Sequence, residues 1–204
     1  MSATFRFPLW LWAIVTGVFA WSAIAPKDRF TWFLEVLPAF LGAVVLLATR
    51  KRFPLTPLLQ TLIAIHMIIL MVGGHYTYAE VPLFNYLRDV FHLSRNHYDR
   101  VGHFAQGFVP AIIAREVLLR RSPLVSGKWL SFIVICICLA ISAVYELFEW
   151  TVAVLTGESA TAFLGTQGDV WDTQKDMAFC AAGAVCALIL LTRWHDRQVN
   201  VLSR

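Results

Sequence analysis

The chain has 204 residues, 58% of them hydrophobic and only 15% charged, with a mean hydropathy of +0.65. A soluble domain carries about 25% charge, so an ordinary water-soluble fold is excluded. The formal charge of +4 is no nucleic-acid signal, because the basic residues are dispersed between apolar blocks.

Six apolar blocks follow in chain order, at roughly 8–25, 32–49, 57–73, 101–119, 129–153 and 176–192, each near the length that crosses a bilayer core at about 1.5 Å per residue. They predict an all-α fold, a polytopic transmembrane helix bundle that forms a single domain over 1–204. The first block follows Arg6 and carries Trp10, Trp12 and Trp21 without a clear cleavage site, so it reads as a retained span rather than a signal peptide. Eight Trp and fifteen Phe suit a chain with aromatic residues at both bilayer interfaces. Cys136, Cys138, Cys180 and Cys186 all fall inside apolar blocks and form no C-x-x-C pair, so they read as small buried hydrophobes.

Charge sets the orientation. With the N-terminus inside and six spans, the cytoplasmic side receives Arg6, Arg50, Lys51, Arg52, Arg115, Arg120, Arg121, Lys128, Arg193, Arg197 and Arg204. That excess, from short loops, follows the positive-inside rule and predicts N-in and C-in. Of the acids only Glu116 and Asp196 fall on that side. Acidic residues contribute little to topology, so their crowding at the opposite side needs another cause.

The polar residues of the long outer loops, 74–100 and 154–175, converge on one boundary. Asp99 and His103 are spaced i,i+4, as are Asp172 and Asp176, while Glu146 and Glu149 are i,i+3, so each pair shares a helix face. His75 and His97 lie beside them in sequence. Imidazole with carboxylates is a ligand set for zinc, iron or manganese. His75, His97, Asp99, His103, Asp172 and Asp176 are therefore the expected metal ligands, and Glu146 and Glu149 the expected catalytic acid or base. Arg95, Arg100 and Tyr76 are expected to receive a substrate, with the two arginines taking an anionic head group. The structural alternative pairs Glu146 and Glu149 with Arg95, Arg100 or Lys175 simply to hold the bundle together. His66, in the middle of the third block, reads as a helix–helix hydrogen-bonding residue, and Gln106, one turn beyond His103, as its partner or as polar glue between helices. No H-E-x-x-H, G-x-S-x-G or P-loop is present.

Four strings carry a resemblance: His-Tyr-Thr-Tyr-Ala-Glu-Val-Pro from His75, Arg-Asn-His-Tyr-Asp-Arg-x-Gly-His-Phe from Arg95, Tyr-Glu-Leu-x-Glu-Trp from Tyr145, and Gly-Asp-x-Trp-Asp-Thr-Gln-x-Asp-Met from Gly168. The chain resembles the YjdF-like inner-membrane proteins, a bacterial group of unknown function, over nearly its whole length. The resemblance implies a multi-pass protein of the bacterial cytoplasmic membrane and no particular activity. Three functions stay open: metal-dependent hydrolysis or modification of a lipid or envelope substrate, proton- or cation-coupled transport, and a structural or interaction role. Membrane lipids are the one partner expected in all three.

Overall fold

Every regular element among the described residues is an α-helix, in a computed structural model that describes residues 8–157 and 161–202. In order these are α1 (Leu9–Ala23), α2 (Arg29–Thr49), α3 (Pro57–Tyr76), α4 (Pro82–Val90), α5 (Tyr98–Arg121), α6 (Lys128–Thr156), α7 (Thr161–Leu164) and α8 (Asp172–Leu202). Local signals set the ends. Asp28 accepts the Thr31 N–H at the start of α2, and Thr56 with Pro57 opens α3. Thr77 and Tyr78, both left-handed at φ 58° and 52°, stop α3 and turn the chain back.

Side-chain contacts give the helix directions. Arg100 meets Asp172 and Asp176, and Arg115 meets His195, so α5 and α8 run parallel. Cys138 donates to the Gly107 carbonyl, while Arg115 reaches Ser126, so α6 runs antiparallel to α5. Tyr98 donates to the Ile69 carbonyl and Thr56 to Glu116, which makes α3 antiparallel to α5 as well. The Lys27 N–H donates to the His75 carbonyl, setting α2 antiparallel to α3, and His75 reaches the end of α1 at Ser22. The six long helices thus alternate, and the start of α1 and the end of α8 share one end of the bundle.

The α5–α8 pair is the axis of the fold, and small residues set its spacing. A Cβ on Gly107 would lie 1.8 Å from the Cys180 carbonyl oxygen, and one on Gly183 would lie 2.0 Å from that of Phe104. Backbone thus packs on backbone, as small residues allow where no hydrophobic force drives helices together. Ala111, Ala184, Ala187 and Cys180 continue this seam, each fully buried. Large apolar side chains point outward instead: Phe40 and Val45 on α2, Phe132 and Val144 on α6, Ile189 and Leu190 on α8. That is the arrangement a bilayer requires.

Four helices, α2, α3, α6 and α8, are long and apolar enough to cross a membrane. The first and fourth sequence blocks differ from this pattern. α1 has 15 residues, and α5 has 24 but carries Asp99, Arg100, Arg115, Glu116, Arg120 and Arg121. α5 hides these charges by lying at the centre, packed against α3, α6 and α8. The sixth block was expected to stop near 192, yet α8 continues to Leu202. The stretch 74–100, expected to be loop, contains α4, whose Leu83, Tyr86 and Val90 form one exposed apolar face, the pattern of a helix lying in the membrane interface. Cys136 is exposed rather than buried.

The extension of α8 has a cause at the Arg115 end. Glu116 is fully buried and accepts from Thr56 N–H and Oγ1, Arg120 and His195 Nε2. Arg115 donates to His195 Nδ1 at 2.8 Å, to Asp196 and to Ser126. Arginine can only donate, so His195 Nδ1 must accept, and the ring proton sits on Nε2 facing Glu116. Every member of this knot is satisfied, which is what makes buried ionic groups tolerable.

Gly107→Leu is expected to prevent close approach of α5 and α8 and to lower the melting temperature in detergent sharply, by overpacking of about 3 kcal/mol or more. Gly17→Leu, where nothing lies within 4 Å of a new Cβ, is expected to leave it unchanged. Equal melting curves for both variants would count against the seam.

Candidate functional site: a carboxylate and histidine cluster above a cavity

The end of the bundle opposite the knot collects the N-termini of α5, α8 and α2 and the C-terminal third of α6. Carboxylates gather at helix N-termini, where exposed N–H groups favour negative charge: Asp99 opens α5 and Asp172 opens α8. Two arginines hold them together. Arg95 pairs with Asp172 and with Asp99 (3.1 Å), and Arg100 pairs with Asp176, with Asp172 (2.5 Å) and with Asp169 (3.2 Å). Both arginines are about 5% exposed at the side chain, so these are buried pairs.

The same arginines clasp the segment before α8. Arg95 donates to the Gly165 and Thr166 carbonyls, while Asn96 and Gln167 exchange two hydrogen bonds at 2.9 and 3.0 Å. Lys175 pairs with Asp169 at 2.6 Å and, with the Trp171 N–H, holds that carboxyl below the usual carboxylate range. Asn96 also donates to the Val81 carbonyl and to Asn85, tying in α4.

Beneath this clasp lies His103. Its Nδ1 is 3.1 Å from Gln106 Oε1, and its Nε2 faces Asp99 Oδ1 at 3.5 Å, Asp176 Oδ1 at 3.6 Å and Glu146 Oε1 at 3.8 Å. Asp99, His103 and Asp176 offer ligand atoms that all lie within 4.8 Å of one another. Glu146 and Glu149 are each 8% exposed, and neither has an Arg or Lys ion-pair partner among the described residues. The bundle-holding pairs weighed for them from sequence do not form; the aspartates occupy those cations instead.

The expected site residues divide accordingly. Asp99, His103, Glu146, Glu149, Asp172 and Asp176 converge. His75 does not: its ring stacks on Trp21 at 4.4 Å between centroids, and its Nδ1 donates to the Ser22 carbonyl. Tyr76 packs edge-on against His75 and so also lies away from the cluster. His97 sits before α5, where burial and then the charges of Arg95, Arg100 and Lys175 hold its pKa below the ordinary histidine value. A cationic surrounding of that kind disfavours a metal ion as well as a proton. Arg95 and Arg100 already serve carboxylates of the chain at their terminal nitrogens, and only Arg95 Nε is left without a partner.

Three further residues belong to the site and were not singled out from sequence. Glu35 on α2, 6% exposed, accepts from Tyr145 Oη at 3.1 Å. Tyr78 is wedged between α3 and α5, where a Cβ on Gly73 or Gly102 would collide with its ring. The signal for Glu35 was available: it is the one acid inside an otherwise apolar 21-residue helix.

Glu35, Tyr78, Asp99, His103, Tyr145 and Glu149 form the polar roof of a cavity of about 270 Å³. Its walls and floor are apolar: Pro38, Ala39 and Gly42 from α2, Ile63, Met67 and Leu70 from α3, Pro110 and Ile113 from α5, and Ile141 from α6. His66 and Gln106 are the polar groups lower down. Pro38 and Pro110 each remove the N–H that would bond a carbonyl four residues earlier, at Leu34 and Gln106. α2 packs on α3, and α6 on α5 and α8, but α2 and α6 do not form a packed pair. The Tyr145–Glu35 hydrogen bond bridges them at the roof.

The chain matches the family model described as "Predicted membrane protein (DUF2238)" over residues 7–197. It is 52% identical over 187 residues to "Inner membrane protein YjdF" of Escherichia coli (strain K12), covering 91% of this chain and 89% of the relative. No solved structure matches it. With its apolar helices, these likenesses make it an integral protein of the bacterial inner membrane. The chain belongs to the DUF2238 family of membrane proteins.

Proposed function

We propose that the chain is one transmembrane unit of six spans, N-in and C-in, that takes an amphiphilic molecule from the bilayer through the gap between α2 and α6. The observation that carries this reading is the cavity, with an acidic roof at one end and apolar walls below it. Its floor residue Ile113 lies fifteen positions beyond Tyr98 in α5, a depth of about 20 Å at 1.5 Å per residue. That depth suits an acyl or prenyl tail whose head sits near the outer interface.

The roof selects the head group. Glu35, Asp99 and Glu149 accept hydrogen bonds, and the nearby arginines are already occupied. The head is therefore a donor, amine- or hydroxyl-bearing, rather than the anionic group expected from the sequence. Should the protein modify its ligand, Glu149 is placed as general base at that head. Transport fits less well. Between Gln106 and the Arg115 knot the axis is lined by buried apolar residues, Val109, Ala111 and Ile112 with Leu59 and Ile63, and these interrupt any polar path.

The six-span reading rests on the alternating helix directions and on the basic turns at the Arg115 end. Reporter fusions are expected to score the 50–56 and 122–127 turns as cytoplasmic and the 91–97 segment as periplasmic. A periplasmic score at 50–56 reverses the assignment.

The amphiphile reading is checked by lipid analysis of the full chain, extracted with its surrounding bilayer in polymer nanodiscs. One lipid class is expected to be enriched over the bulk membrane. Gly42→Trp, which fills the cavity beside Met67, is expected to abolish the enrichment. Glu149→Gln is expected to reduce it about 10- to 100-fold, the worth of a charge-assisted hydrogen bond, and Val144→Trp, on the outer face of α6, to leave it unchanged. A wild-type lipid profile equal to that of the bulk membrane overturns the proposal.

A further inference from the structure

We infer that His103, Asp99, Asp176 and Glu146 form a binding site for one divalent transition-metal ion of the manganese, iron or zinc class. The site is the roof of the same cavity and depends on the reading above only for its access route.

Its geometry separates it from a hydrogen-bond cluster. The three carboxylate oxygens stand 3.5, 3.6 and 3.8 Å from His103 Nε2, beyond the N–H···O range of about 2.7–3.2 Å. Ligand atoms around a first-row ion, with bonds of about 2.0–2.2 Å, lie about 3–3.5 Å apart. His103 Nε2, Asp99 and Asp176 thus bracket a space of ionic size, their ligand atoms all within 4.8 Å of one another, and Glu146 Oε1 stands at its edge, 3.8 Å from Nε2.

Two independent features aim ligands into that space. Gln106 Oε1 takes the Nδ1–H of His103 at 3.1 Å, which turns Nε2 toward the carboxylates, where an ion that displaces its proton would meet the lone pair. A metal-bound histidine is held in the same way by a partner on its other nitrogen. Glu146 Oε1 is buried without a hydrogen-bond partner, in a residue 8% exposed, and it faces His103 Nε2. An orphaned carboxylate oxygen opposite an imidazole nitrogen calls for a proton or a metal cation between them.

Charge points the same way. Arg95, Arg100 and Lys175 face Asp99, Asp169, Asp172 and Asp176, and Glu35, Glu146 and Glu149 have no Arg or Lys partner among the described residues. The cluster holds more carboxyls than Arg and Lys partners, so protons or a bound cation must make up the difference where Nε2 sits. One imidazole with three carboxylates is a hard to borderline set, suited to Mn²⁺, Fe²⁺ or Zn²⁺ rather than copper or a thiophilic ion.

The test uses the full chain purified in detergent without chelator. Elemental analysis is expected to find about one transition ion per chain, and Mn²⁺ exchanged into the site is expected to show the broadened resonance spectrum of a bound ion. Glu146→Gln and Gln106→Leu are each expected to weaken Mn²⁺ binding about 10- to 100-fold, while His97→Gln leaves it unchanged. Size-exclusion profiles and melting curves confirm that each variant is folded. Folded wild type that binds neither Mn²⁺ nor Zn²⁺ at millimolar concentration overturns the site, as does binding indifferent to Glu146→Gln. Selective lipid retention with no metal removes the metal centre alone; metal with an unselective lipid profile removes only the amphiphile reading.

Discussion

Arg100 organises the end of the bundle opposite the Arg115 knot. It enters from the first turn of α5 and reaches Asp172 and Asp176 across the first turns of α8. Parallel helices bring two positive N-termini together, an arrangement that needs negative charge between them. The aspartates supply it, and the arginines then offset the aspartates. Removing one partner of such a buried pair leaves the other charge uncompensated, at a cost of about 3–5 kcal/mol. The clasp therefore fixes the α5–α8 register at one end as the Arg115–His195 knot fixes it at the other. The glycine seam lies between.

With α5 and α8 locked, the rest of the site follows from which helices pack on that pair. α3 and α6 flank α5, while α2 packs on α3 and meets α6 through the Tyr145–Glu35 hydrogen bond. The prolines of α2 and α5 line the cavity where the helices have each given up a backbone bond.

The sequence made local geometry legible and left long-range pairing hidden. Asp99 with His103, Glu146 with Glu149, and Asp172 with Asp176 were readable as faces because helical spacing is a local property. Arg95 and Arg100 were readable as polar, but their partners on α8, Asp172 and Asp176, lie 77 and 76 positions away, and no periodicity reports that. His75 illustrates the converse. Its neighbours in sequence argued for the site, yet Trp21, on another helix, offered a better surface. The apolar block ends where hydropathy falls at Arg193, whereas the helix itself persists through the contacts of His195 and Asp196 with α5, which hydropathy does not report. Glu35 was overlooked as a single acid without a periodic partner, although a lone carboxylate in an apolar span is itself a strong signal.

The two polar ends of α5 invite comparison, because they use the same residue types to opposite effect. At the Arg115 end a histidine stands between an arginine and a glutamate, each within hydrogen-bond distance, and every lone pair has a donor. At the Arg100 end a histidine stands among three carboxylates 3.5, 3.6 and 3.8 Å away, and one glutamate oxygen has no partner. A chain that needed only to hold α5 against α8 has shown, in the knot, how it does so with nothing left over. The cluster at the Arg100 end keeps surplus carboxylates buried, where each is costly, beside a cavity. Holding α5 against α8 does not account for that surplus.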